Sequence, residues 1–267
     1  MKPRILWLAA AMAAATTPAL SAEPKLPADG WTSWEVPAPD GAPFWCCWNS
    51  WNDRSSTREP CKLDARSNGF GTRRDHETTD TAKVYVRTAG GKVDRLQVLA
   101  AACPVQTLTP VTELAQVSPE DSVSFLTALA KQGGTDAVTR EPLAQQALAG
   151  LAQHRLDRAG AELTTFARAD SRAETRKWAV FWLAQRAQPG AEQTLSAALR
   201  EDKDDEVREH AVFALSQLPA DRATRALIAA AEDRSLSRAQ RKRAVFWLAQ
   251  SESEGAQAYL EKVLTRK

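Results

Sequence analysis

Between residues 144 and 250, apolar and polar positions recur in a fixed order at two scales. The phrases "AQQALAGLAQ" (144–153), "RKWAVFWLAQ" (176–185), "REHAVFALSQ" (208–217) and "RKRAVFWLAQ" (241–250) start 32, 32 and 33 residues apart. Leu163, Leu195, Leu227 and Leu260 keep the same steps. Within each phrase an alanine (Ala147, Ala179, Ala211, Ala244) is followed four positions later by a leucine (Leu151, Leu183, Leu215, Leu248). Residues i and i+4 share one face of a helix, so each unit is predicted to begin with a helix whose alanine lets neighbours approach and whose leucine fills the contact. The second set of leucines marks a second helix per unit. One such hairpin cannot bury its apolar face alone, whereas four stacked hairpins share a continuous core.

Capping chemistry agrees with this division. Ser118, Pro119 and Asp121 open a leading helix that Gly133 and Gly134 close. Ser171 with Glu174, and Ser237 with Gln240, read as capping boxes, Asp204 or Asp205 suits the third unit, and Pro189-Gly190 and Pro219 break the chain between first and second helices.

Before residue 117 the period changes from helical to two. In "AKVYVRTAGGKVDRLQVLA", Val84 and Val86 alternate with Lys83, Tyr85 and Arg87, Gly90-Gly91 supply a tight turn, and Leu96 and Val98 alternate on the return, which predicts a β-hairpin. From about Glu23 to Leu114 the chain gathers Pro, Gly, Trp and all four cysteines and reads as a small β-rich domain. The first 22 residues carry Lys2 and Arg4, an apolar run from Ile5 to Ala15 and the small Ala22, the pattern of a secretory signal peptide. No later stretch is apolar enough to span a bilayer, so the chain is expected to be exported without membrane insertion after cleavage. The expected division is 1–22 signal peptide, 23–116 cysteine- and tryptophan-rich β domain, and 117–267 helical repeats.

Export changes what a cysteine can be. In "FWCCWNSW" (44–51) the adjacent Cys46 and Cys47 sit among Trp45, Trp48 and Trp51. Side chains of neighbouring residues in a strand point to opposite sides, so each is expected to pair with a different partner, Cys61 or Cys103, with the connectivity left open. The competing reading is a soft metal such as Cu(I) on vicinal thiolates. Zinc spacing is missing, and the neighbouring His76, between Asp75 and Glu77, reads as a solvated loop residue.

The phrases "ETRKWAVFWLA" and "DDEVREHAVFAL", with an acidic start, an Arg, then Ala and Leu on the first helix, resemble HEAT-like repeats of the short, phycobilisome-lyase-like type. The resemblance covers about Thr139 to Lys267 and implies an all-α solenoid of helical hairpins, here preceded by the disulfide-stapled β-rich domain. A tetratricopeptide reading lacks the Gly and Tyr of that family's first helix. Among HEAT-like enzymes, deoxyhypusine hydroxylase holds two irons on His-Glu pairs of its first helices. The matching dipeptides here are Lys177-Trp178, Glu209-His210 and Lys242-Arg243, so that metal site does not carry over.

Composition narrows the function further. With 35 basic and 33 acidic residues, the chain has no nucleic-acid footprint and no polybasic membrane patch. It contains no GxSxG, HExxH or phosphate-binding glycine loop, and its three histidines are scattered. The expectation is a non-enzymatic exported scaffold, without cofactor or metal, that binds another envelope or secreted protein. A structural spacer and an unrecognised enzyme are the alternatives. Candidate partner-binding residues are Trp178, Trp182, Arg243 and Trp247, which exceed what repeat packing needs, with Arg243 one turn before Trp247 and placed to stack on it. Phe181, Phe213 and Phe246 are expected in the core. Gln153, Gln185, Gln217 and Gln250 are expected to bond between units.

Overall fold

A computed structural model describes residues 23–50, 56–66, 69–72 and 77–265. The expected signal peptide (residues 1–22), Trp51 and His76 lie outside the described residues. The strands are β1 (Gly30–Pro43), β2 (Cys46–Ser50), β3 (Ser56–Glu59), β4 (Cys61–Lys62), β5 (Phe70–Gly71), β6 (Thr78–Ala89), β7 (Lys92–Ala100), β8 (Val105–Gln106) and β9 (Val111–Glu113). The helices are α1 (Pro119–Gln132), α2 (Leu143–Ala152), α3 (Asp157–Ala169), α4 (Ala173–Arg186), α5 (Ala191–Glu201), α6 (Asp205–Ser216), α7 (Ala220–Glu232), α8 (Arg238–Ala249) and α9 (Glu254–Thr265).

The expected hairpin is β6–β7, turning on Gly90 and Gly91, both with positive φ as a two-residue turn between twisted strands requires. It forms a sheet of order β7-β6-β1-β9, in which β1 runs antiparallel to β6 and parallel to β9. Period-two alternation gives this sheet two buried faces. Trp34, Val36, Val84, Val86, Leu96 and Val98 face the helices, while Trp31, Tyr85 and Leu99 face a second core containing Phe44, Trp48 and all four cysteines.

The disulfides are Cys46–Cys103 and Cys47–Cys61, so each vicinal cysteine takes its own partner as expected. The long polar stretch before β6 contributes β3, β4 and β5, and Cys61 pins it. Bridges 57 and 14 residues apart remove chain entropy worth roughly 4 and 3 kcal/mol.

α2, α4, α6 and α8 form a row of first helices, and α1, α3, α5, α7 and α9 a second row behind them. The repeat alanines Ala147, Ala179, Ala211 and Ala244 and leucines Leu151, Leu183, Leu215 and Leu248 are all fully buried. Leu163, Leu195 and Leu227 are buried as well, while Leu260 on α9 stays half-exposed, with no further helix packed on it among the described residues. Each "R" that opens a repeat phrase ties down the preceding loop: Arg176 donates to Asp170 O and Ser171 O, Arg208 to Asp202 O and Arg241 to Leu236 O. Ser118, Asp204 and the Ser237/Gln240 box cap α1, α6 and α8. The box expected at Ser171 and Glu174 does not form. α4 begins at Ala173 without a side-chain cap, Asp170 holds the turn through Arg172 N at 2.9 Å, and Glu174 is engaged by Trp178 and Lys177.

Sheet and helices share one apolar cluster across the boundary between β9 and α1. Polar groups stitch the same seam. Trp34 Nε1 donates to Ser122 Oγ (2.7 Å), which meets His154 Nε2 at 3.0 Å, all three fully buried. Arg95 on β7 pairs with Asp136 after α1 at 2.8 Å, both side chains inaccessible to solvent, and Arg95 also donates to Leu63 O and Ala65 O. Burial, then the nearby Arg186 charge, pushes the His154 imidazole down to about 3.

Two outcomes are expected. Asp136→Ala strands a buried guanidinium and lowers stability to urea by about 3–5 kcal/mol, whereas Asp40→Ala, which frees Arg155 from an exposed pair, costs under about 1 kcal/mol. For His154, the unfolded chain takes up its proton near pH 6.5 and the folded chain only near 3. The stability held in its neutral form is therefore complete above pH 6.5 and is lost as pH falls toward 3. Urea midpoints of the wild type and His154→Gln should converge over that window; parallel curves would contradict the assignment.

Candidate functional site

The repeat register places four positions of each first helix on the surface opposite the second row. They read Gln146, Ala149, Gly150, Gln153 on α2; Trp178, Phe181, Trp182, Gln185 on α4; His210, Phe213, Ala214, Gln217 on α6; and Arg243, Phe246, Trp247, Gln250 on α8. On α2 this surface is covered by β7. A Cβ on Gly150 would lie 3.1 Å from Val98 Cγ2 and 3.0 Å from Leu126 Cδ1, so a side chain here would push both neighbours back by a few tenths of an ångström. Gln153 Nε2 donates to Val98 O at 3.2 Å.

Beyond α2 no strand covers the surface among the described residues, and it turns aromatic. Rings follow one another from the cystine module along the row. Phe70 meets Trp45 (5.6 Å), Trp45 meets Trp182 edge-on (5.2 Å), and Trp182 meets Phe181 (5.0 Å). Phe181 stacks parallel on Phe213 (6.0 Å), which meets Trp247 (5.2 Å) and through it Phe246 (5.1 Å). Trp178 and His210 flank the line, 5.9 Å apart.

The candidate residues divide by burial. Trp182, 6% exposed, is held in the core between Trp45 and Phe181, so in this conformation it presents no surface to a partner. Trp178 and Trp247 are half-buried and Arg243 is exposed. Trp178 is oriented by Glu174 Oε1, which accepts its indole proton at 2.7 Å. Burial raises the Glu174 carboxyl, but the hydrogen bonds from Lys177 and Trp178 outweigh it and leave the group below its usual range. Arg243 does not stack on Trp247: the cation–π contacts among the described residues involve Arg58 and Arg87. Instead it borders a shallow depression of about 280 Å³ with Glu206, Glu209, His210, Phe213 and Trp247. Burial first, and the Lys177 charge second, hold His210 down to about 4, so this ring is neutral at physiological pH.

The phenylalanines depart from expectation. Phe181 and Phe213 are only half-buried and Phe246 is 48% exposed. The i, i+4 alanine–leucine stripe already fills the contact between helices, which leaves the opposite phenylalanines on the open surface. Phe70 and Trp45 were not identified from sequence because the cystine module shows no helical period that would align them with the repeats.

Residues 160–241 match the family model of HEAT repeats. The match runs from α3 to the start of α8, the stretch in which the stacked hairpins and the open aromatic surface coincide. No curated protein matches the chain. HEAT-repeat packing accounts for the buried alanines and leucines, and it leaves the aromatic surface unexplained.

The sulfurs of Cys46, Cys61 and Cys103 lie within 4.8 Å of one another, but all four cysteines are spent in disulfides, so a soft metal would need them reduced.

Core and surface roles are separable by stability. Trp182→Ala is expected to cost about 3–5 kcal/mol in urea unfolding, and Phe246→Ala less than about 1 kcal/mol.

Proposed function

We propose that this chain is an exported scaffold whose HEAT-like repeats, of the short phycobilisome-lyase-like type, engage another envelope or secreted protein. HEAT repeats suggest a protein-interaction scaffold in general. The observation that carries the reading is the line of rings from Phe70 to Phe246, in which Phe181, Phe213, Trp247 and Phe246 stay partly or largely open around the buried Trp182 while the packing positions beneath are satisfied. Exposed aromatic and Arg side chains are the usual anchors of interfaces. The basic, apolar and small-residue order of residues 1–22 and the pairing of every cysteine support export.

We assign no catalytic role. The Ser122–His154 contact has a dyad's spacing, but both residues are sealed beneath the sheet, Trp34 already donates to Ser122, and His154 Nδ1 has no partner among the described residues.

The test compares wild type with a Trp178→Ala/Arg243→Ala/Phe246→Ala variant, both immobilised in oxidised form, for capture of envelope proteins identified by mass spectrometry. The variant should keep its helical circular dichroism and weaken capture by about 1–3 kcal/mol in total. Unchanged capture would move the interface off the first-helix row.

A further inference from the structure

The two disulfides of the cystine module touch at their sulfurs. Cys61 Sγ lies 3.7 Å from Cys103 Sγ, and Cys46 Sγ is within 4.8 Å of both. The main chain builds this contact. β4 pairs parallel with β8, Cys61 N donates to Pro104 O at 2.9 Å and Leu63 N to Gln106 O at 2.8 Å. Cys61 and Cys103 therefore stand side by side without being bonded to each other. Their partners, Cys47 and Cys46, are adjacent on β2, so every covalent tie in the module has one end on that strand.

Cys47 is buried but borders a cavity of about 330 Å³, whose rim carries the exposed Arg66, Phe70 and Glu141. A thiolate that enters this cavity and attacks the Cys47 sulfur has Cys61 as its leaving group. The sulfur so released is the one already in contact with the second disulfide.

We propose that the two cystines form a single thiol–disulfide exchange site, opened by a small thiol, in which Cys61 takes Cys103 from Cys46. In the first step the incoming thiolate bonds to Cys47 Sγ, the Cys47–Cys61 bond breaks and its electron pair leaves on Cys61. The freed Cys61 side chain then turns about its Cα–Cβ bond onto Cys103 Sγ, forms Cys61–Cys103 and expels Cys46 as a thiolate, which takes a proton from water. A second thiolate displaces the first from Cys47. Two small thiols end as one disulfide, two electrons enter the protein, and the disulfide that survives has changed partners.

The exchange changes loop closure little, because a bond between residues 57 apart gives way to one between residues 42 apart and the closure term follows the logarithm of length. It decides what reduction releases. Without it, opening Cys47–Cys61 leaves β2 fastened through Cys46. With it, one two-electron step removes both ties from β2 and fastens β4 to β8 instead. β2 starts beside Trp45, whose ring meets Trp182 at 5.2 Å, so the same step loosens the contact that joins the module to the repeats.

The test treats the oxidised full chain with stoichiometric dithiothreitol, quenches with acid, alkylates under denaturing conditions and maps tryptic peptides. In singly reduced molecules the Cys61 and Cys103 peptides should be joined, and the peptide holding Cys46 and Cys47 should be labelled at both. Labels on Cys47 and Cys61 with Cys46–Cys103 intact would overturn the proposal, as would passage to the fully reduced chain with no singly reduced species. A second measurement needs no reductant. In Cys47→Ser, Cys61 is a thiol from the start, and the label should divide between Cys61 and Cys46. Label confined to Cys61, or spread equally onto Cys103, would contradict the exchange. If this variant misfolds, the wild-type map decides.

Discussion

How closely β7 can approach α2 governs the rest of the molecule. A helix and a sheet share a core only if their backbones come near enough for side chains on both sides to interdigitate. Here that approach depends on a position with no Cβ, Gly150, between Val98 and Leu126. The same register position carries Trp182 on α4 and Trp247 on α8. One repeat position thus lies against a strand in the first unit and carries an indole in the second and fourth.

The end of a helical repeat array must be covered, because a terminal unit otherwise exposes the apolar surface a neighbour would have buried. The chain covers the start of its array with a sheet instead of a polar helix. That choice makes the seam a meeting point for the Arg95–Asp136 pair, the Trp34–Ser122–His154 chain and one continuous apolar cluster. It also explains the position of the cystine module. The disulfides and Trp31, Tyr85 and Leu99 occupy the outer face of the sheet, and Trp45 reaches past its edge to touch Trp182. The module therefore borders the open aromatic surface as well as stabilising the cap.

The helical part was readable from sequence because one physical requirement, a small residue and a leucine on the same helix face, repeats at 32 or 33 residues and leaves a periodic trace. The β6–β7 hairpin was readable through its alternation and the paired glycines. β1 was not identified individually: its run contains Pro37, Pro39 and Pro43, and both of its faces are buried, so little alternation survives. The disulfide pairing was constrained to two choices by strand geometry and settled only by the fold. Phe181, Phe213 and Phe246 were misplaced because hydrophobicity does not distinguish a ring that fills a core from one left on its far side. The seam itself left almost no trace, since Gly150 reads as an ordinary weak helix residue until Val98 is set against it.

Native-state hydrogen exchange across a urea series tests most directly whether sheet and helices form one cooperative unit. With the disulfides intact, the account predicts that amides of Val84 and Val86 in β6 and of Leu148 and Leu151 in α2 open with the same free energy and the same dependence on urea. Opening of the β6 amides at a distinctly lower free energy, with α2 still protected, would contradict it.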